Sequence, residues 1–199
     1  MRNAADSQPR RSTVHLTAQQ GHFAREVSRR AHVNIARCWH CKCCSNGCPF
    51  AAAMDFYPNQ VIRLAQLGLK RQALESSSIW ICVGCNTCSV ECPQAIDVAA
   101  VMDALRQMAI AEKAAVGEPN ILEFHREVVE SIRRYGRTHK LEIMMRYKLK
   151  KHDWLSDVNI ALQMLSKRKL DLRPSRVKRL EQIQAVFQNI LQAKGHEQR

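Results

Sequence analysis

Residues 82–93, Cys82-Val83-Gly84-Cys85-Asn86-Thr87-Cys88-Ser89-Val90-Glu91-Cys92-Pro93, decide how this chain is read. They spell C-x2-C-x2-C-x3-C-P, and the same spacing occurs earlier as Cys38, Cys41, Cys44 and Cys48 followed by Pro49. Three thiolates spaced by two residues can wrap three corners of one cubane [4Fe–4S] cluster. Where the pattern is doubled, the fourth cysteine, held before proline, reaches the other cluster. The doubled run therefore predicts a crossed arrangement. Cys38, Cys41, Cys44 and Cys92 would hold one [4Fe–4S] cluster, and Cys82, Cys85, Cys88 and Cys48 the other.

Other uses of cysteine fit less well. Structural zinc takes four cysteines as separated pairs rather than close triplets completed by a distant fourth. A disulfide framework calls for an even count and an oxidising compartment, whereas this chain has nine cysteines and opens without an apolar signal segment. Reduced thiols in a reducing cytoplasm suit cluster ligation. No run of eighteen apolar residues occurs, so no transmembrane segment is expected.

Few glycines and prolines, many Leu, Ala, Gln, Arg and Lys, and little apolar/polar alternation point to an all-α protein. Charge divides the 199 residues unevenly. Residues 1–37 carry seven basic and two acidic side chains, residues 38–132 seven and ten, and residues 133–199 seventeen and six. The basic last third can be a solvated set of helix faces, or meet an acidic protein or an anionic membrane surface at its periphery. No nucleic-acid recognition motif accompanies it, so no nucleic-acid partner is expected.

In order, residues 1–14 read as a disordered polar tail, 15–115 as the core bearing both motifs, 116–193 as a basic helical extension and 194–199 as a frayed end. Thr17 can cap a helix to Arg30 with Phe23 and Val27 on one face. Between Cys48 and Cys82 lie 33 residues, in which Pro58 suits a first helical turn and Val61, Ile62, Leu64, Ala65, Leu67 and Leu69 form an apolar face. Asp97 is placed to cap a helix to about Lys113, with Val98, Val101, Met102, Leu105 and Met108 inward. Asn120 can cap the next, lined by Ile121, Phe124, Val128 and Ile132. Shorter helices follow over 141–149 and from Ser156 or Asp157 to Leu170, and a last one begins at Ser175.

Within the motifs, Trp39 is placed to shield a cluster, and Trp80 and Ile81 to cover the second. His40 can donate a hydrogen bond to cluster sulfur or simply pack. Cys43, outside the spacing, reads as a buried small apolar residue, with a reactive thiol or alternative ligand as the other reading. With all iron corners occupied by cysteine, the chemistry left is one-electron, outer-sphere transfer. The sequence offers no G-x-G-x-x-G turn and no identifiable acid–base pair, so no catalytic residues are assigned and the chain reads as a non-catalytic relay.

The segments CWHCKCCSNGCP, YPNQVIRLAQLGL and SSSIWICVGCNTCSVECPQAIDVAAVMDALRQMA together resemble the C subunit of heterodisulfide reductase and the related bacterial complexes. LQMLSKRKLDLRPSRVKRLEQI is similar to that family's tail, so the likeness extends from about residue 15 to 190. The resemblance implies a helical ferredoxin fold with two [4Fe–4S] clusters on the eight cysteines named above. It also implies two partners: an A subunit carrying flavin and iron–sulfur clusters, and a B subunit with CCG domains that acts on a disulfide or sulfane sulfur. The iron–sulfur subunits of succinate and glycerol-3-phosphate dehydrogenases share the scaffold. A succinate dehydrogenase subunit would bring a [2Fe–2S] domain ahead of it, whereas the 37 residues before Cys38 contain no cysteine.

Overall fold

The computed structural model of the chain describes residues 20–151, 163, 164, 166, 167, 175 and 177–197. The cap at Thr17 and most of the helix expected over 156–170 lie outside them. Among the described residues all regular structure is helical. The chain divides into two compact units, Met1–Gly117 and Glu118–Arg199.

The first unit is built around α7 (Val98–Ala111). Asp97 opens it as expected: its carboxylate accepts from the Ala100 amide at 3.0 Å, satisfying one of the helix's unpaired N–H groups. Val98, Val101, Met102, Leu105 and Met108 are buried, as their spacing requires. Around this spine pack α1 (Gln20–Arg30), α3 (Pro58–Gln66), α4 (Lys70–Glu75), α5 (Ser78–Ile81) and α6 (Thr87–Val90). A further one-turn helix, α2 (Cys43–Asn46), lies against α3 and α6.

Phe23 and Val27 of α1 are buried in this core. Pro58 takes the first turn of α3, where its missing N–H costs no hydrogen bond, and Val61, Ile62, Leu64 and Ala65 are buried. Leu67 and Leu69, expected on the same face, are only half-buried because α3 ends at Gln66 and the chain turns through Gly68. Trp80 is fully buried in the core rather than over a cysteine cavity, which corrects the covering role expected of it. After α7 the chain returns at Gly117, where a Cβ would lie 2.7 Å from the Ser77 nitrogen and 2.8 Å from the Glu75 oxygen. Only glycine permits so close an approach of two backbones.

The second unit holds α8 (Pro119–Tyr135), α9 (Lys140–Lys151) and α10 (Leu180–Glu197). Glu118, not Asn120, occupies the cap position of α8, because Pro119 takes the first helical position and moves the start upstream. Gly136 ends α8 in the left-handed conformation at φ 76°. The face expected on α8 is also corrected. Glu127 and Ser131 are its buried residues, Ile121, Val128 and Ile132 are half-buried, and Phe124 is exposed with its ring edge-on to Tyr147. The reason is α9, whose Lys150 pairs with Glu127 at 2.6 Å and with Glu123, while the His139 amide donates to the Ser131 hydroxyl. The last helix starts at Leu180, five residues later than expected. The Val177 amide is already taken by the Tyr135 carbonyl at the end of α8.

Candidate metal centres

Each cysteine run wraps around its first three thiols through a repeated backbone twist. In the first run His40 and Lys42 have positive φ, 61° and 69°; in the second Gly84 and Asn86 do, 65° and 62°. These are the same two positions of the C-x2-C-x2-C pattern. Left-handed backbone costs roughly 1–2 kcal/mol per non-glycine residue, so a strained curl kept in both halves marks a constrained site. Each second left-handed residue leads directly into a one-turn helix, α2 after Lys42 and α6 after Asn86.

Short helices need anchoring, and both are anchored alike. Ser45, directly after Cys44, donates from its hydroxyl to the Asn59 side chain at 2.6 Å and accepts from the Asn59 amide at 3.2 Å, tying α2 to α3. Ser89, directly after Cys88, donates to Asp97 at 2.8 Å, tying α6 to the start of α7. The first cysteine of each run is clamped through its carbonyl. Gln66 donates to the Cys38 carbonyl at 3.3 Å, and to that of Ile35 at 2.8 Å; Arg106 donates to the Cys82 carbonyl at 3.1 Å. None of these four anchoring residues was singled out in the sequence. The signal present was the serine after the third cysteine in both runs, C-x2-C-x2-C-S.

The entry to the second run is set by Asp55. Its carboxylate accepts from the Ser76 and Ser78 hydroxyls at 2.8 and 2.6 Å and from the Ser77 and Ser78 amides, both at 3.0 Å. Burial alone would raise its pKa, but these donors outweigh that and hold the carboxyl well below the ordinary carboxylate range. Asp55 thereby fixes the start of α5, whose end leads directly into Cys82.

The thiols surround two cavities. Cys82, Cys85, Cys88 and Cys48 line one, with about 400 Å³ of empty space including its opening; Phe50, Met54 and Met102 complete much of its apolar wall. Cys38, Cys41, Cys44 and Cys92 line the other, about 330 Å³, together with Cys43, Trp39 and His40. Each cavity thus receives the three spaced cysteines of one run and one cysteine from the other, and the Cys38 cavity has Cys43 in addition. Val98, at the head of α7, belongs to both walls. Among the described residues no three His, Cys, Asp or Glu side chains converge closely enough to chelate a single ion. The sulfurs surround a space rather than a point, the donor chemistry is soft thiol, and the walls are largely apolar. That set fits a polynuclear iron–sulfur group better than one hard or borderline ion.

The electrostatics repeat as well. Burial pushes the Cys44 thiol up to about 11 and the Cys88 thiol up, in each case partly offset by the following serine hydroxyl. The central thiols move the other way. The neighbouring Cys43 lowers Cys41, and hydrogen bonding with Thr87 lowers Cys85. Burial raises Cys38, against a lowering hydrogen bond from the His40 backbone.

Within the motifs the expectations for Trp39 and Cys43 change, and of the two readings of His40 the packing one is favoured. Trp39 lines its cavity but is 66% exposed, so it forms a rim rather than a shield. His40 has its Nε2 hydrogen-bonded to the Gln66 side chain at 2.8 Å, so that nitrogen serves the clamp rather than a sulfur. Cys43 is exposed and lines the Cys38 cavity, whereas a buried apolar role was expected; the one-turn helix that begins at Cys43 buries its neighbour Cys44 instead.

The family model described as a 4Fe-4S dicluster domain matches residues 34–96, the span of both runs and the helical spacer between them. Among characterised relatives, the C subunit of the ferredoxin:CoB-CoM heterodisulfide reductase of Methanosarcina acetivorans is 36% identical over 80 residues, 40% of this chain and 32% of that protein. A protein of Archaeoglobus profundus described as similar to the heterodisulfide reductase C subunit is 33% identical over 100 residues, half of each chain. An iron-sulfur C subunit of the CoB–CoM heterodisulfide reductase of Methanocaldococcus jannaschii is 30% identical over 103 residues, 52% of each. The chain is similar to C subunits of heterodisulfide reductases over its cysteine-bearing part. The match spans about a third to a half of these relatives' length and no more than 52% of this chain, narrower than the 15–190 likeness suggested by the sequence. No described helix of the chain is long and apolar enough to cross a membrane.

Proposed function

We propose that this chain is the electron-transferring iron–sulfur subunit of a heterodisulfide-reductase-like complex. It would hold one [4Fe–4S] cluster on Cys38, Cys41, Cys44 and Cys92 and a second on Cys82, Cys85, Cys88 and Cys48. The observation that carries the reading is the pair of cysteine-walled cavities, each completed by a thiol from the other run, with Val98 common to both walls. Such clusters, when bound, supply reversible one-electron storage. The protein's part is to orient eight sulfurs, to keep water from most of the cavity surface and to fix the two sites as neighbours. Gln66 and Arg106 hold the first cysteine of each run, Ser45 and Ser89 the third, and the left-handed residues turn the central one inward.

The family supports partners of two kinds: a flavin-containing A subunit that delivers or takes electron pairs, and a CCG-type B subunit that converts a disulfide or sulfane sulfur. The chain itself acts as a relay with no catalytic residue of its own. Reduced thiols of this kind suit a reducing compartment such as the cytoplasm.

Anaerobic purification with whatever co-purifies, followed by iron and sulfide counting and EPR during reductive titration, tests this. About eight irons per chain and two interacting reduced-cluster signals are expected, with a flavoprotein and a CCG-type protein retained. Zinc in place of iron, or iron that stays redox-silent, would overturn the relay.

A further inference from the structure

The repeat extends one residue beyond the ligands, and that residue differs between the halves. Cys41-Lys42-Cys43 in the first run corresponds to Cys85-Asn86-Thr87 in the second. Lys42 (φ 69°, ψ 5°) and Asn86 (φ 62°, ψ 0°) share one conformation, and Cys43 and Thr87 each begin a one-turn helix. That geometry turns both residues back onto the central cysteine. The Cys85 thiol donates to the Thr87 hydroxyl at 3.5 Å. Cys43 holds the corresponding position in the first run and lines the same cavity as Cys41. Cys43 therefore stands where the other half has the hydroxyl that meets the central cysteine.

We propose that Cys43 and Thr87 are paired positioning residues, one for each cluster, that hydrogen-bond the central cysteine sulfur and so help set that cluster's reduction potential. The exchange of hydroxyl for thiol between them offsets the two potentials. This rests on the two-cluster reading above. A metal-bound thiolate carries no proton and can only accept, so Thr87 must donate to Cys85 once iron is bound. Donation to sulfur favours the reduced, more negative cluster and raises its potential. An S–H is a weak donor and an O–H a good one, so Thr87 raises its cluster more than Cys43 raises the other.

The test uses the full chain with its co-purifying partners, prepared without oxygen, as Thr87→Val, Thr87→Ser and Cys43→Thr. Thr87→Val should lower one midpoint potential only, and should remove a deuterium-exchangeable proton coupling from that reduced cluster. Thr87→Ser, which keeps the hydroxyl, should restore both. Cys43→Thr should raise the potential of the other cluster at unchanged iron content. Should Thr87→Val fail to load, the shift in Cys43→Thr still decides. Unmoved potentials at full iron content, or a common shift of both clusters, would overturn the inference. Loss of about four irons in Cys43→Thr would also overturn it, by making Cys43 a ligand. A wild-type chain without two clusters would instead sink the reading on which it rests.

Discussion

The unit ending at Gly117 and the unit beginning at Glu118 are both helical, but they are held by different forces. In the first, α2, α5 and α6 are four residues each and α4 is six. Isolated helices under about 12–15 residues are marginal in water, so these turns exist because something outside them holds them. The holders are polar anchors (Ser45, Ser89, Gln66, Arg106, Asp55) and the thiols that line the two cavities. In the second unit α8 has 17 residues and α10 has 18. An ion-pair ladder laces α8 to α9: Glu130 meets Arg133 and Arg134, Glu142 meets Arg134 and Arg146, and Lys150 meets Glu123 and Glu127. Order in the first unit is imposed by long-range clamping onto the buried core around α7. Order in the second is largely local, reinforced by exposed charge. The two should therefore fail independently.

The largest effect breaks the first unit alone. Cys92→Ser should remove about four irons per chain, and so should Cys38→Ser; the double variant should lose no more than either, because both thiols serve one cluster. Cys92→Ser combined with Cys82→Ser should lose all iron, although those residues sit in the same run. Hydrogen exchange should show residues 38–93 losing protection with each loss while residues 118–151 keep theirs. Iron losses that follow the runs rather than the cavities would undo the crossed assignment. Matching loss of protection in both units would undo the comparison.

What the sequence disclosed follows the same division. The eight cysteines, Pro58 and Asp97 were legible because spacing and caps are local signals that dictate local geometry. The anchors were not. Asp55 meets Ser78 across 23 residues and Gln66 meets the Cys38 carbonyl across 28, and no short pattern encodes such pairs. Cys43 was misread because a cysteine outside a metal spacing defaults to a small apolar residue. Only the left-handed turn at Lys42, repeated at Asn86, reveals that it shares a cavity wall with Cys41. On α8, apolar periodicity named the wrong face. Glu127 becomes buriable once Lys150 reaches it from α9, which the periodicity of a single helix cannot report.

A smaller effect sharpens the contrast inside the first unit. Asp55→Ala removes the one acceptor shared by Ser76, Ser77 and Ser78 and unties the entry to Cys82. Loss of a helix-capping side chain costs about 1 kcal/mol, and the several charge-assisted bonds here place this toward about 2 kcal/mol. Urea unfolding should show that loss in the cluster-bearing transition only. Slower or incomplete loading should appear at the Cys82 cavity before the Cys38 cavity. Equal loading defects at both would mean that Asp55 stabilises the unit as a whole rather than one entry.

The smallest effect belongs to the second unit and comes from acid. A hydrogen bond from Arg133 is the main cause holding Glu130 below its ordinary value, and one from Lys150 does the same for Glu123. Burial raises Glu142, but the Tyr135 hydroxyl with Arg146 and Arg134 outweighs it and the net shift is again downward. A carboxyl whose folded pKa is depressed contributes stability above its unfolded value, here about 4.5, and loses it as pH falls toward the folded one. Exchange protection in residues 118–151 should therefore weaken as pH drops below about 4.5, and Glu130→Gln should flatten that dependence. The loss should be modest, and added salt should reduce its size, because these pairs are largely exposed and screened. Protection that ignores both pH and salt would show that apolar packing, such as buried Ile143 and the Phe124–Tyr147 contact, holds α8 and α9 together without the ladder.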